Sequence, residues 1–273
     1  MTTRTDTMPA LALRGSTLAY LGVMVVLPLA VLAAQSAELG PSAFWKAIFD
    51  PFAWHALKLT ISTALVMVAI NAVMGTATAW VLVRYEFPGK EVMNALIDLP
   101  FAVPTVVTGL MLVALYGPSS ALGTVLGRAG LGVIYQQPGI VLALLFVTYP
   151  FVIRSDQPVL LEVDRGEEEA AATLGASPWM VFRRVTLPTL FPSILTGTAL
   201  AFSRALGEFG SVVMVAGNRP LETKTGPMYV FGEIESGNRH GAMVVSVVLL
   251  ATSLGILIAL NLIQRRRGGG HGE

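Results

Sequence analysis

Six stretches of this chain are apolar over nearly the thickness of a bilayer: residues 16–34, 57–83, 99–116, 139–153, 193–216 and 242–263. A crossing helix needs about 20 mostly apolar residues, and within the hydrocarbon every backbone N–H and C=O must be satisfied inside the protein. The pattern predicts an all-α polytopic membrane protein with six transmembrane helices. Composition agrees: 54% of residues are hydrophobic and 13% charged, where soluble domains carry about 25% charge. The fourth stretch is the shortest and has Pro150 near its end; borrowing residues 131–135 would lengthen it. Pro28 interrupts the first stretch, and Pro100 and Pro104 open the third, each removing a backbone donor.

Lys and Arg decide the orientation. With the N-terminus inside, Arg4, Arg14, Arg84, Lys90, Arg154, Arg165, Arg183, Arg184 and Arg265 to Arg267 fall on the inner side, and Lys46, Lys58, Arg128, Arg219, Lys224 and Arg239 on the outer. That balance, about eleven against six, predicts two cytoplasmic ends, residues 1–15 and 265–273, and a cytoplasmic loop over 154–192. The first stretch exceeds the usual signal-peptide core and reads as a retained anchor, although its small-residue end resembles a cleavage site. A net charge of +1 offers no field for nucleic acid, and the absence of Cys excludes disulfides and thiolate metal sites. In the outer loop, Phe44, Trp45, Ile48, Phe49, Phe52 and Trp54 fit a helix lying in the membrane interface.

The 154–192 loop carries a pattern of its own. Residues 160–174 read as a helix with Glu167, Glu168 and Glu169 toward its start, and Gly175 fits the left-handed position that closes a helix. Ser177 and Pro178 have the chemistry of a cap and first turn for a second helix, which Leu187-Pro188 is expected to end. Trp179, Phe182 and Val185 make an apolar stripe on it, with Arg183 and Arg184 turned toward lipid headgroups. The apolar face of Ala170, Ala171 and Leu174 calls for something to pack on it: the protein's own span ends, or a partner.

Glu169-Ala170-Ala171, then Gly175, then Val185 and Leu187-Pro188 resemble the coupling loop of ABC-importer permeases. The resemblance implies a type I ABC-importer permease (MetI-like) fold over residues 16–264, in a bacterial cytoplasmic (inner) membrane. It also implies that Glu169, Ala170, Ala171, Leu174, Gly175, Leu187 and Pro188 couple the membrane domain to a nucleotide-binding ATPase dimer. The likeness runs from about residue 57 to 264 and is nearest to the T-type subunit of sulfate/thiosulfate permeases. It is carried by Asp98-Leu-Pro-Phe-Ala-Val-Pro-Thr105, Pro150-Phe-Val-Ile-Arg154, Gln157-Pro-Val-Leu160, residues 195–211 and Ala216-Gly-Asn218. Molybdate/tungstate permeases share much of 204–218, and after Asn218 the sequence departs from the enterobacterial sulfate type. The implied partners are a second permease of the W type and an extracytoplasmic sulfate-binding protein; a homodimer stays open. ATP would be used by the ATPase subunit, with no cofactor bound by this chain.

Within the fifth stretch Arg204 and Glu208 lie four residues apart, on one helical face. Buried charge in a membrane is costly and points to a substrate path, or to an internal ion pair that fixes packing. Asn71, Thr105, Thr108 and Ser203 add neutral hydrogen-bonding groups, which serve a path or join helices. Residues 217–241 can hold a short amphipathic helix at the outer mouth. No Gly-x-x-x-x-Gly-Lys-[Ser/Thr] loop, His-Glu-x-x-His frame or Gly-x-Ser-x-Gly elbow is present, so the chain is expected to be neither the ATPase nor another enzyme. The rivals are a six-span channel or secondary transporter, and a membrane scaffold.

Overall fold

The structure is a computed structural model that describes the backbone of residues 7–268 and the side chains of residues 12–264. Residues 1–6 and 269–273, with Arg4 and much of the expected C-terminal tail, lie outside the described residues, as do the side chains of Arg265 to Arg267.

The first span is α1 (Thr7–Leu21) and α2 (Leu27–Glu38), joined by a π-helical segment, Gly22–Val26. Pro28 has no N–H to give, and the widened turn before it lets Leu27 N–H reach Gly22 C=O without a break. A short helix, α3 (Pro41–Ile48), leads to α4 (Pro51–Arg84), capped by Asp50, whose Oδ1 accepts from the N–H groups of Phe52 and Ala53. Phe44, Trp45, Phe49 and Trp54 then form a chain of ring contacts. Trp45, Phe49 and Trp54 stay exposed, as an interfacial segment requires.

The third span departs from the expected single helix over 99–116. The chain makes α5 (Lys90–Ala102), bends by 115° at Val103-Pro104, and resumes as α6 (Thr105–Tyr116). Val103 is forced into extended backbone by the proline after it, and Pro104 cannot donate to the turn before it. After α7 (Ala121–Arg128) comes α8 (Gln137–Glu162). The fourth span is therefore long, but it extends past Arg154 to Glu162 and not backward through 131–135.

The loop that follows is shorter than 154–192. It holds α9 (Arg165–Thr173) and α10 (Pro178–Val181), then a second π-helical segment, Phe182–Thr186, which passes directly into α11 (Leu187–Leu206). Two corrections follow. Residues 160–162 finish α8 and do not begin the loop helix, which starts only after Asp164 accepts from Gly166 N–H. Leu187-Pro188 does not end a helix either: as at Leu27-Pro28, a π segment upstream absorbs the missing donor, Leu187 N–H reaches Phe182 C=O, and the helix runs on into the fifth span. That span is not continuous to Ala216, because Gly207 to Phe209 separate α11 from α12 (Gly210–Ala216). The last elements are α13 (Gly226–Glu235), within the segment where a short helix was expected, and α14 (Arg239–Gly268).

Among the described residues five helical runs are long and apolar enough to cross a membrane, and counting the bent α5–α6 pair as one span gives six. At their centre α4, α8 and α11 pack against one another. Close approach depends on glycine at two places: a Cβ on Gly75 of α4 would meet Val152 Cβ at 2.9 Å, and one on Gly197 of α11 would meet Val152 Cα at 2.7 Å. One valine of α8 is thus held between two glycines. The first span, by contrast, buries none of its apolar window and touches α14.

Candidate coupling loop and intramembrane polar sites

The loop helix α9 ends in a Schellman motif. Gly175 takes a φ of 86°, its N–H bonds Ala172 C=O at 2.9 Å, and Ala176 N–H bonds Ala171 C=O at 3.1 Å. Two residues later Ser177 Oγ accepts from Met180 N–H, and Pro178 opens α10. The sharp turn between the two helices follows from these local choices.

No residue of α9 is buried. Glu169 and Ala170 are exposed, Ala171 is half-buried, and Leu174 just beyond is 89% exposed. The small apolar face therefore does not lie against the protein's own span ends. The stripe on α10 divides: Phe182 stacks on Trp179 and meets the Trp80 ring edge-on at 5.2 Å, while Trp179 remains exposed. Leu187 is half-buried and Pro188 exposed, at the junction where the loop becomes the span.

What holds α9 is polar. Glu168 Oε1 accepts from Arg84 Nη2 at 2.8 Å and from Thr186 Oγ1 at 2.7 Å. Arg84 is the last residue of α4, where its charge complements the helix C-terminus, and its guanidinium lies over Trp80. Sequence reasoning overlooked this group. Glu168 is the middle of three glutamates and Arg84 entered only as a charge to be counted.

Arg204 and Glu208 do pair, at 2.7 Å, but not along one helix. Arg204 is in the last turn of α11, and Glu208 stands in the break before α12, where its Oε1 accepts from Ser211 N–H and Oγ. A cation at one helix C-terminus and an anion at the next N-terminus offset both dipoles at the break. Glu208 is 1% exposed and Arg204 36%, so the carboxylate is sealed while the guanidinium retains an open side. Thr105 lies beside this group: a Cβ on Gly210 would fall 2.1 Å from its Oγ1. Across the same contact, a Cβ on Gly109 would meet Met214 Cβ at 2.7 Å. The segments that follow the two span breaks, α6 and α12, are thus packed on each other.

Asn71 and Thr108 belong elsewhere. Both line a cavity of about 620 Å³ between α4, α5, α6 and α8, whose walls are otherwise mostly apolar and include Met74, Met111 and Tyr149. Asn71 Nδ2 donates to Thr148 Oγ1 at 2.9 Å, while Asn71 Oδ1 and Thr108 Oγ1 have no protein partner. Ser203 lines a different cavity, between α11, α13 and α14. The six candidates for a path therefore form three groups: Arg204, Glu208 and Thr105 at the break, Asn71 and Thr108 in one cavity, and Ser203 in another.

Two further polar ties were not foreseen. Buried Asp156 of α8 accepts from Thr76 of α4 and Ser193 of α11, each at 2.7 Å. Arg154 binds Asp98 and Asn94 of α5 and, one turn on, Gln157. Asp98, Arg154 and Gln157 come from separate segments that carried the family resemblance, and the fold gathers them at one place. Their spacing, 56 residues between Asp98 and Arg154, hides the contact from local patterns.

Comparison with known proteins is consistent with this architecture. Residues 71–268 match the family model described as "Binding-protein-dependent transport system inner membrane component". The chain is 44% identical over 249 residues to the sulfate transport system permease protein CysT of Synechocystis sp. (strain ATCC 27184 / PCC 6803 / Kazusa), covering 91% of this chain and 87% of the relative. With the protein of that name from Escherichia coli (strain K12) it shares 39% identity over 254 residues, 93% of this chain and 92% of the relative. Among solved structures, a chain of a bacterial alginate ABC transporter complexed with its periplasmic protein superposes with a TM-score of 0.77 at 16% identity, covering 94% of each chain. A chain of the inward-facing MetNI methionine ABC transporter gives 0.58 at 19% identity, covering 80% of this chain and 98% of the other.

Proposed function

This chain belongs to the family of binding-protein-dependent transport system inner membrane components, and on that premise we propose that it is the sulfate-translocating permease subunit of an ATP-driven importer. The observation that carries the substrate is the pair of relatives named as sulfate permeases, each matching about nine-tenths of the chain. The reading as a channel, secondary transporter or scaffold falls with the family membership.

In this reading the α9–α10 loop faces the cytoplasm with both termini, and an ATPase dimer seats the exposed face of Ala170, Ala171 and Leu174 in a groove. The nearly bare helix supports it, since an apolar face left open on a water-side loop fits a docking surface. Glu169 supplies a charge to the ATPase, Gly175 the turn, and Leu187-Pro188 the junction that passes movement into α11. ATP is consumed by that partner and not by this chain. A second permease of the W type completes the conduit, and an extracytoplasmic binding protein delivers sulfate.

Arg204 is the residue proposed to meet the anion. Its open side offers positive charge to a dianion, while Glu208 keeps the station weak enough for release. Thr105 stands beside it, and Asn71 and Thr108 contribute neutral groups in the separate cavity between α4, α5, α6 and α8. Uptake of labelled sulfate and molybdate by cells with and without this chain tests the reading. Sulfate uptake that requires the chain, with little molybdate uptake, is expected; molybdate uptake with none of sulfate would overturn the substrate.

A further inference from the structure

We propose that Glu168 is a positioning residue for energy coupling, which sets the angle of α9 against the spans through Arg84 and Thr186. The inference rests on the importer reading above and concerns a residue outside the docking face. An element with no buried residue gains little from apolar packing, so its orientation depends on its few directed contacts. For α9 these converge on one atom, Glu168 Oε1, which accepts from two segments: the C-terminus of α4 through Arg84, and the π segment before α11 through Thr186.

The three partners differ in burial, and the gradient has a direction. Thr186 is fully buried, Arg84 is 9% exposed and Glu168 18%, so the clasp is anchored on the membrane-domain side. Without the carboxylate, Arg84 is left with its charge largely out of water and Nε already lacking a partner. Neighbouring Glu169 forms no ion pair among the described residues and is exposed, so adjacent glutamates face opposite duties: 169 outward, 168 inward.

The clasp acts on a block that is already joined. Farther along the same helices Asp156 ties α8 to α4 and α11, and Val152 is wedged between Gly75 and Gly197. A push on α9 that enters through Glu168 therefore reaches α4 and α11 together. The π segment, which carries Thr186 at its end, joins α10 to α11, so the same contact reaches both parts of the continuous run.

The test uses the assembled complex of this chain with its permease partner, ATPase and binding protein in proteoliposomes, and reads sulfate imported per ATP hydrolysed. Loss of a charge-assisted hydrogen bond is worth about a tenfold change. Glu168→Ala is expected to lower the ratio about tenfold while assembly with the ATPase persists, and Thr186→Val to lower it about threefold. Thr186→Ser, which restores the hydroxyl, is expected to recover the wild-type ratio. If Glu168→Ala fails to assemble, the valine and serine variants decide. A wild-type ratio in Thr186→Val, or a loss in Thr186→Ser equal to that in Thr186→Val, would overturn the proposal. A wild-type complex that imports no sulfate at all is a separate result and strikes the functional reading instead.

Discussion

Two of the three arginine–glutamate pairs among the described residues look alike and do different things. In each, the glutamate also accepts from a hydroxyl: Thr186 at Glu168, and Ser211 at Glu208. Arg84 and Glu168 are 84 residues apart and join three segments at the edge of the loop. Arg204 and Glu208 are four apart and close a break within one span. The first is partly exposed and transmits position between elements; the second is sealed on its acidic side and stabilises a local discontinuity. Identical chemistry thus has a role set by what its partners are attached to and by how much water reaches it.

The largest effect that can break this comparison is expected from Glu208→Ala. It strips a buried carboxylate from Arg204 and leaves Ser211 N–H unsatisfied, at a cost of about 3–5 kcal/mol, read as a lowered unfolding temperature of the purified protein in detergent. Stability unchanged by this substitution would remove the distinction between a sealed and a semi-exposed pair. Gly210→Ala comes next. Its new methyl would overlap Thr105 Oγ1, and overpacking of this kind costs about 1–3 kcal/mol, so melting and uptake should fall together.

Arg204→Gln is expected to abolish sulfate uptake with complex assembly intact, because the guanidinium keeps an open side; normal uptake would leave that pair a packing device only. Gly175→Ala is milder. No atom lies within 4 Å of the new Cβ, so the cost is the left-handed backbone alone, about 1 kcal/mol. It should appear as fewer ions imported per ATP with unchanged preference between sulfate and molybdate. Smallest is the salt response: with Arg84 9% and Glu168 18% exposed, raising salt on the loop side should weaken the Arg84–Glu168 pair by no more than about a few tenths of a kcal/mol. Double-mutant cycles at two salt concentrations would measure it.

How much was legible depends on sequence distance. The turn at Gly175 and the cap at Ser177 were readable because each is decided by residues within a few positions. The Pro residues pointed to irregular helices, yet their outcomes diverged. Pro104 produced a 115° bend, whereas Pro28 and Pro188 were absorbed by π segments and left the helices unbroken. Proline removes one donor in every case, and whether the chain bends or widens depends on packing around it. Misreading Leu187-Pro188 as a terminus, and 193–216 as one helix, came from treating local composition as sufficient.

By itself the sequence determined the membrane class, the span count, the loop motif and the family, because apolar length, capping chemistry and motif spacing are properties of contiguous residues. Only the tertiary structure decided that Glu168, and not Glu169, grips the membrane domain. It likewise decided that Asp156 ties three helices, and that the six path candidates divide between a break and two cavities. Each of these rests on side chains from distant segments meeting at hydrogen-bond range, and such a meeting is set by how helices pack, which no local pattern encodes.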